Sequence, residues 1–127
     1  MGDCNSKFNR AVWFDIPVVD LERAASFYRA VLAIQMHREQ KNGNAFYVLE
    51  HAAGNGGCLV PNPSAVGSGG VLVYLNVNGR IRDAARQVEL RGGRVIEPIH
   101  AIGPHGFRAI VLDSEGNRVA LHAEQDS

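Results

Sequence analysis

The sequence predicts one α+β domain made of two βαβββ modules that form a cupped mixed sheet, with both helices on its convex side. Three observations predict it. The first is an internal repeat: Leu21, Ala24, Ala25 and Tyr28 return at a constant offset as Ile81, Ala84, Ala85 and Val88, and Val48-Leu49-Glu50 returns as Val111-Leu112-Asp113. Self-similarity of this kind marks one structural unit used twice. The second is the order of patterns inside each repeat, one alternating stretch, then helical spacing, then three more short strand-like stretches. The third is incompleteness. A single such module would leave a sheet face and a sheet edge uncovered, so two are expected to join. At 127 residues the chain suits one domain, with modules over 10–60 and 71–123.

The elements follow in order. Val12 to Val19 alternates, with Phe14, Ile16 and Val18 on one side and Trp13, Asp15 and Pro17 on the other. Asp20 is a helix N-cap, and Leu21, Ala24, Ala25, Tyr28, Val31 and Leu32 then form an apolar helical face. Ile34 to Gln40 and Ala45 to Glu50 are strands joined by the turn Lys41-Asn42-Gly43-Asn44, because Asn and Gly tolerate positive φ. Gly54 to Gly57 turns the chain into a short strand from Cys58 to Val60. Pro61 to Gly70, rich in Pro, Ser and Gly, is the linker between modules. Val71 to Val77 opens the second module, a helix runs through Ile81, Ala84, Ala85 and Val88, and Gly92-Gly93 ends it. Arg94 to Ile99, Phe107 to Asp113 and Arg118 to Ala123 are the last strands, the final pair joined by Ser114-Glu115-Gly116-Asn117.

Composition excludes several function classes. Apolar residues make up 46% and charged residues 20%, and thirteen basic residues balance thirteen acidic ones. That balance carries no electrostatic footprint for nucleic acid or an anionic membrane. Arg80, Arg82, Arg86, Arg91 and Arg94 surround the second helix without interleaved aromatics and make a solvated face. No apolar run approaches the ~18 residues of a membrane span, and the start MGDCNSKFNR has no signal-peptide core. Gly2 and Ser6 fit only a loose acylation pattern. Cys4 and Cys58 make no disulfide framework, so both are expected to be free thiols in a cytoplasmic protein.

Three stretches carry a resemblance. FDIPVVDLERAASFYRAVLAI resembles the opening of vicinal oxygen chelate proteins, the superfamily of glyoxalases, bleomycin resistance proteins and dioxygenases. VLVYLNV resembles the strand that opens their second half, and GFRAIVLDSEGNRVALHAE resembles their closing hairpin. The ending is most similar to a broad bacterial subgroup described only as glyoxalase-like. The resemblance implies the glyoxalase/bleomycin resistance fold and, commonly, a homodimer. It is specific for fold and not for function, since this fold hosts isomerases, epimerases, dioxygenases, thiol transferases and drug binders. In metal-dependent members, His and Glu ligands occupy the first and fourth strand of each half. Carried onto this chain those positions fall on Trp13, Cys58, Leu72 and Ala120. None is His, Asp or Glu, and Cys58 alone carries a donor atom able to ligate. No metal or other cofactor is therefore expected.

Alternation predicts what the cup holds instead. Val71, Val73, Leu75, Val77, Val119 and Leu121 should face the helices. Trp13, Asp15, Pro17, Leu72, Tyr74, Asn76, Arg118, Ala120 and His122 should then face the cup, giving apolar walls with few polar groups. His122 can act as acid or base, and Asp15 would orient it if the strands bring them together. Without that contact His122 is a strand-end residue bonded to backbone or water, and Asp15 is a salt-bridge partner of an Arg such as Arg118. Trp13 is either a pocket wall or an interface residue, and Cys58 either a packed or a reactive thiol. His100 and His105 sit on a predicted surface loop; His37 and His51 have no evident partner. Three functions follow: a metal-free small-molecule binder; a lactoylglutathione-lyase-like lyase or isomerase using His122 and Asp15, with or without a nonstandard divalent metal; or an interaction module whose cup a partner chain fills.

Overall fold

A computed structural model describes residues 9–127; Gly2, Cys4 and Ser6 lie outside them. The first module is β1 (Asp15–Val18), α1 (Leu21–Leu32), β2 (Met36–Lys41), β3 (Asn44–Leu49) and β4 (Cys58–Pro61). The second is β5 (Tyr74–Asn76), α2 (Ile81–Leu90), β6 (Arg94–Ala101), β7 (Phe107–Leu112) and β8 (Arg118–Ala123). The strands hydrogen-bond as two four-stranded sheets of the same topology, β1-β4-β3-β2 and β5-β8-β7-β6. In each sheet the first strand runs parallel to the last, and the other pairs are antiparallel. This is two βαβββ modules, as the repeat predicts.

Local chemistry explains the elements. The Asp20 carboxylate accepts a hydrogen bond from the Arg23 N–H at 3.0 Å and caps α1. The helix ends on Ala33, whose φ of 56° is left-handed. Asn42 and Gly43, at φ 56° and 80°, make the tight turn that pairs β2 with β3. Helix α2 has no side-chain cap. Instead Arg80 pairs with Asp83 at 2.7 Å and donates at 2.6 Å to the Val31 carbonyl in the last turn of α1, where a cation suits the helix dipole.

Ala24, Ala25, Phe27, Tyr28 and Val31 from α1 share one buried cluster with Ile81, Ala84 and Val88 from α2 and with Ile16, Val18, Leu75, Val77, Val119 and Leu121 from the strands. A single core thus spans both modules. Phe27, outside the predicted helix face, is 1% exposed within it. Gly93 allows β6 to start tight against that core, because a Cβ there would lie 2.4 Å from the Leu112 carbonyl oxygen.

The expected Val71–Val77 strand contracts to Tyr74–Asn76. Val71, expected to face a helix, is 87% exposed. Among the described residues β5 pairs with β8 alone. Its pairing runs only from Tyr74–Ala120 to Asn76–His122, and Arg118 turns its Nε to the Ser68 carbonyl instead. Strand β1 is likewise cut to the four residues that face β4. Strand β6 runs to Ala101, past the expected Ile99, with register shifts between Val95 and Glu97 and between Glu97 and His100. The linker contains one 3-10 turn, Pro63–Ala65.

The modules are joined by the turn between β7 and β8. Tyr28 donates to Asp113 Oδ2 at 2.6 Å, and Asn117 Nδ2 donates to the Pro17 carbonyl at 2.8 Å. The Glu115 carboxylate accepts from the Val19 and Asp20 N–H groups, from Arg23 Nε and Nη2 and from the Ser114 hydroxyl, all within 3.0 Å. A buried carboxylate is tolerated only when it is paired and bonded in this way. Burial raises its pKa, but the Arg23 pair, the backbone donors and Ser114 outweigh that and leave it at about 2. Burial, and then the Asp113 charge, hold the Tyr28 hydroxyl protonated well above its ordinary range.

Candidate functional site

Helix α2 packs on β6, β7 and β8, and α1 on β3 and β4. In the second sheet Leu75, Ala109, Leu121 and Ala123 face the helices and are buried. Period-two alternation therefore turns Tyr74, Asn76, Arg108, Ala120 and His122 to the opposite face. The register aligns four polar side chains in one row across the sheet: Asn76 opposite His122, His122 opposite Arg108, and Arg108 opposite His100. Directly opposed residues of a sheet have Cβ atoms only about 5 Å apart, so the row is a connected surface. Next to it Tyr74 faces Ala120 and Ala120 faces Ile110; these two apolar residues are 0% and 2% exposed, covered by the chain itself.

Hydrogen bonds fix the state of each group. His100 Nδ1 lies 2.8 Å from the Pro98 carbonyl, which only accepts, so Nδ1 carries the proton. Its Nε2 accepts from Arg108 Nε at 3.1 Å. Arg108 Nη1 also donates to the Tyr74 hydroxyl. His122 Nε2 donates to the His105 carbonyl at 2.7 Å, leaving its lone pair on Nδ1. Gly106 makes that contact possible: its φ is 95°, and a Cβ would lie 2.5 Å from the Ala123 carbonyl oxygen and 3.3 Å from His122 Nε2.

The expected residues fall into two groups. Asp15, Trp13 and Cys58 meet at the start of the first sheet. The Cys58 thiol donates to Asp15 Oδ1 at 3.1 Å. Burial, then the Asp15 hydrogen bond, push its pKa up to about 11, so it is a packed, protonated thiol at neutral pH. Trp13 precedes β1 and meets the His51 ring edge-on at 5.6 Å. Tyr74, Asn76, Ala120 and His122 meet on the second sheet, where the Tyr74 and His122 rings lie 6.4 Å apart. Leu72 is half-buried just ahead of β5. Asp15 and His122 therefore stand on different sheets with different partners, and a backbone carbonyl orients the His122 ring. Among the described residues Asp15 and Arg118 form no salt bridge, although both line one small cavity of about 170 Å³. A larger open cleft of about 500 Å³ lies between the modules, lined by Tyr74 and Asn76 and also by Leu32 of α1, Leu49, His51 and the helix-facing Leu75. That volume lies within the ~300–1,000 Å³ usual for small-molecule sites.

Arg108 is absent from the sequence-based site, although the alternation of Phe107-Arg108-Ala109 places it on the cup side. His100 was expected on a surface loop but sits in β6, and His105 contributes its carbonyl rather than its ring.

The four family ligand positions do not fit a divalent ion. Trp13 and Leu72 have no ligating atom, Ala120 is a buried methyl under Tyr74, and the Cys58 proton is held by Asp15. Among the described residues no three His, Cys, Asp or Glu side chains are grouped as a metal shell.

Residues 10–121 match the family model described as the Glyoxalase/Bleomycin resistance protein/Dioxygenase superfamily. The chain belongs to that superfamily. Among solved structures it is similar to a hypothetical protein from S. aureus, at 19% identity and TM-score 0.72 over 91% of this chain and 95% of that one. It is similar to a fosfomycin resistance protein from Listeria monocytogenes, at 12% identity and TM-score 0.68 over 91% and 93%. It is also similar to lactoylglutathione lyase from Agrobacterium tumefaciens, at 19% identity and TM-score 0.62 over 91% and 94%. Identities this low carry the fold alone. No curated protein matches the chain significantly. No helix among the described residues is long and apolar enough to cross a membrane.

Proposed function

We propose that the chain is a small-molecule binding protein of the glyoxalase/bleomycin resistance type that holds its ligand on the faces turned away from the helices, without the divalent metal usual in the family. The observation that carries this reading is the donor set at the four ligand positions, Trp13, Cys58, Leu72 and Ala120, only one of which has a ligating atom. The cleft between the modules, which Tyr74 and Asn76 help to line, supports a ligand of modest size. We further expect a homodimer in the cytoplasm, on the family's habit and on the free Cys58 thiol; sedimentation velocity checks the dimer. The test of binding is a thermal-shift screen of small molecules on chelator-treated protein. Saturable rises in Tm that survive chelation are expected. Rises that vanish on chelation and return with a divalent ion would contradict the reading.

One observation favours a second reading as a lyase or isomerase. His122 donates through Nε2 to a fixed carbonyl and keeps a lone pair on Nδ1, the arrangement of an oriented general base. On that reading His122→Gln abolishes turnover of a hemithioacetal substrate and Asp15→Asn does not, because Asp15 bonds Cys58. Equal loss in both variants would contradict the assignment of the base.

A further inference from the structure

We infer that the row on the second sheet is an oxyanion site, taking the carboxylate or phosphonate group of a small molecule, with Arg108 as its anchor. The inference rests on the small-molecule reading above and names the chemistry of the ligand. It comes from counting which hydrogen-bonding capacity each side chain has left. Arg108 has five N–H donors. Nε is used on His100 and one Nη1 hydrogen on Tyr74. Three donors remain, enough for the two parallel bonds that a guanidinium gives an oxyanion. The Tyr74 oxygen accepts from Arg108, so its own O–H is free to donate. Asn76 Oδ1 accepts from the Asn78 N–H at 2.8 Å, which leaves its amide hydrogens. His100 Nε2 is consumed by Arg108.

Internal bonds thus occupy the one lone pair of His100 and one of the two on each of the Tyr74 and Asn76 oxygens, while the donors of Tyr74 and Asn76 stay open. His122 Nδ1 is the one ring nitrogen of the row left to accept, suited to the acid proton of a singly ionised phosphonate. Among the described residues Arg108 makes no ion pair with a carboxylate. Two carboxylates stand near the row, Glu97 at 3.9 Å from His100 Nε2 and Glu124 in the cleft beside His122. A set of donors around an uncompensated guanidinium is matched by a ligand that only accepts.

The test compares three probes of one shape on the full chain by isothermal titration: benzoate, phenylphosphonate and neutral benzamide. Saturable binding of one or both anions is expected, with benzamide at least about tenfold weaker, and the stronger anion identifies the group. Arg108→Gln should weaken the anions by about 10- to 100-fold and leave benzamide unchanged, as for loss of a charged hydrogen-bond partner. Tyr74→Phe should weaken them severalfold. Arg91→Gln, on the far end of α2, should do nothing. Unchanged melting of each variant shows that it folds. Benzamide bound as tightly as the anions, or anion affinity indifferent to Arg108→Gln, overturns the oxyanion site and leaves the small-molecule reading standing. No saturable binding of either anion to the wild-type chain overturns the site outright, and the chelator-treated thermal-shift screen then decides the broader reading on its own.

Discussion

Glu115 shows how much one residue does here. It is remote in sequence from Val19, Asp20 and Arg23, yet its carboxylate gathers their donors beside the cap of α1. Its folded pKa of about 2 lies below the ordinary 4.5. A depressed acid adds stability that is complete above its unfolded pKa and disappears as pH falls through the folded value. Stability should therefore decline between about pH 4.5 and 2, by on the order of 2–3 kcal/mol from this group after allowance for screening by water. Urea unfolding across that range checks it, and Glu115→Gln should flatten most of the decline. Cys58 is a second residue-scale case. With a pKa near 11 and a donor bond to Asp15, its thiol should be alkylated by iodoacetamide at pH 7.5 far more slowly than a free peptide thiol. Mass mapping of the Cys58 peptide reads this separately from Cys4, and labelling at the free-peptide rate would contradict the packed environment.

Elements owe their form to short-range signals that were legible and long-range ones that were not. The Asp20 cap, the Asn42-Gly43 turn and the helix faces through Ala24, Ala25, Tyr28, Ala84 and Val88 all appear where periodicity puts them. Strand ends do not: β1 covers only the four residues that pair with β4, and β5 only the three that pair with the middle of the longer β8, and no local pattern encodes which residues will find a partner. The site was partly legible for the same reason. Alternation places Tyr74, Asn76, Ala120 and His122 on one face, but the link from His122 to the His105 carbonyl depends on a turn whose shape only the fold reveals. That turn makes a prediction at its own scale. Gly106→Ala meets both a positive φ and the Ala123 carbonyl, and should cost about 1–3 kcal/mol. A loss below about 0.5 kcal/mol in urea unfolding would contradict the close approach.

The core and the polar joint both cross the module boundary, so the two modules are expected to unfold together. Tyr28 reaches Asp113, Arg23 reaches Glu115, Arg80 reaches Val31, and the α1 and α2 faces share one apolar cluster. The excised segment 10–60 would lose all of these and should give the circular dichroism of an unfolded chain. The repeat made the two-module plan legible, while the joint stayed hidden because Asp113 to Asn117 looks like any hairpin turn until it is docked. If small molecules bind on this fold without a divalent ion, the chain itself should retain almost no metal. The most direct measurement is the metal content of tag-free protein, as purified and after incubation with Ni²⁺, Mn²⁺, Fe²⁺ and Zn²⁺ followed by desalting. Retention far below one ion per chain is expected in every case. Near-stoichiometric retention of any one metal would contradict it and would direct the search for ligands to Cys58, Asp15 and His122.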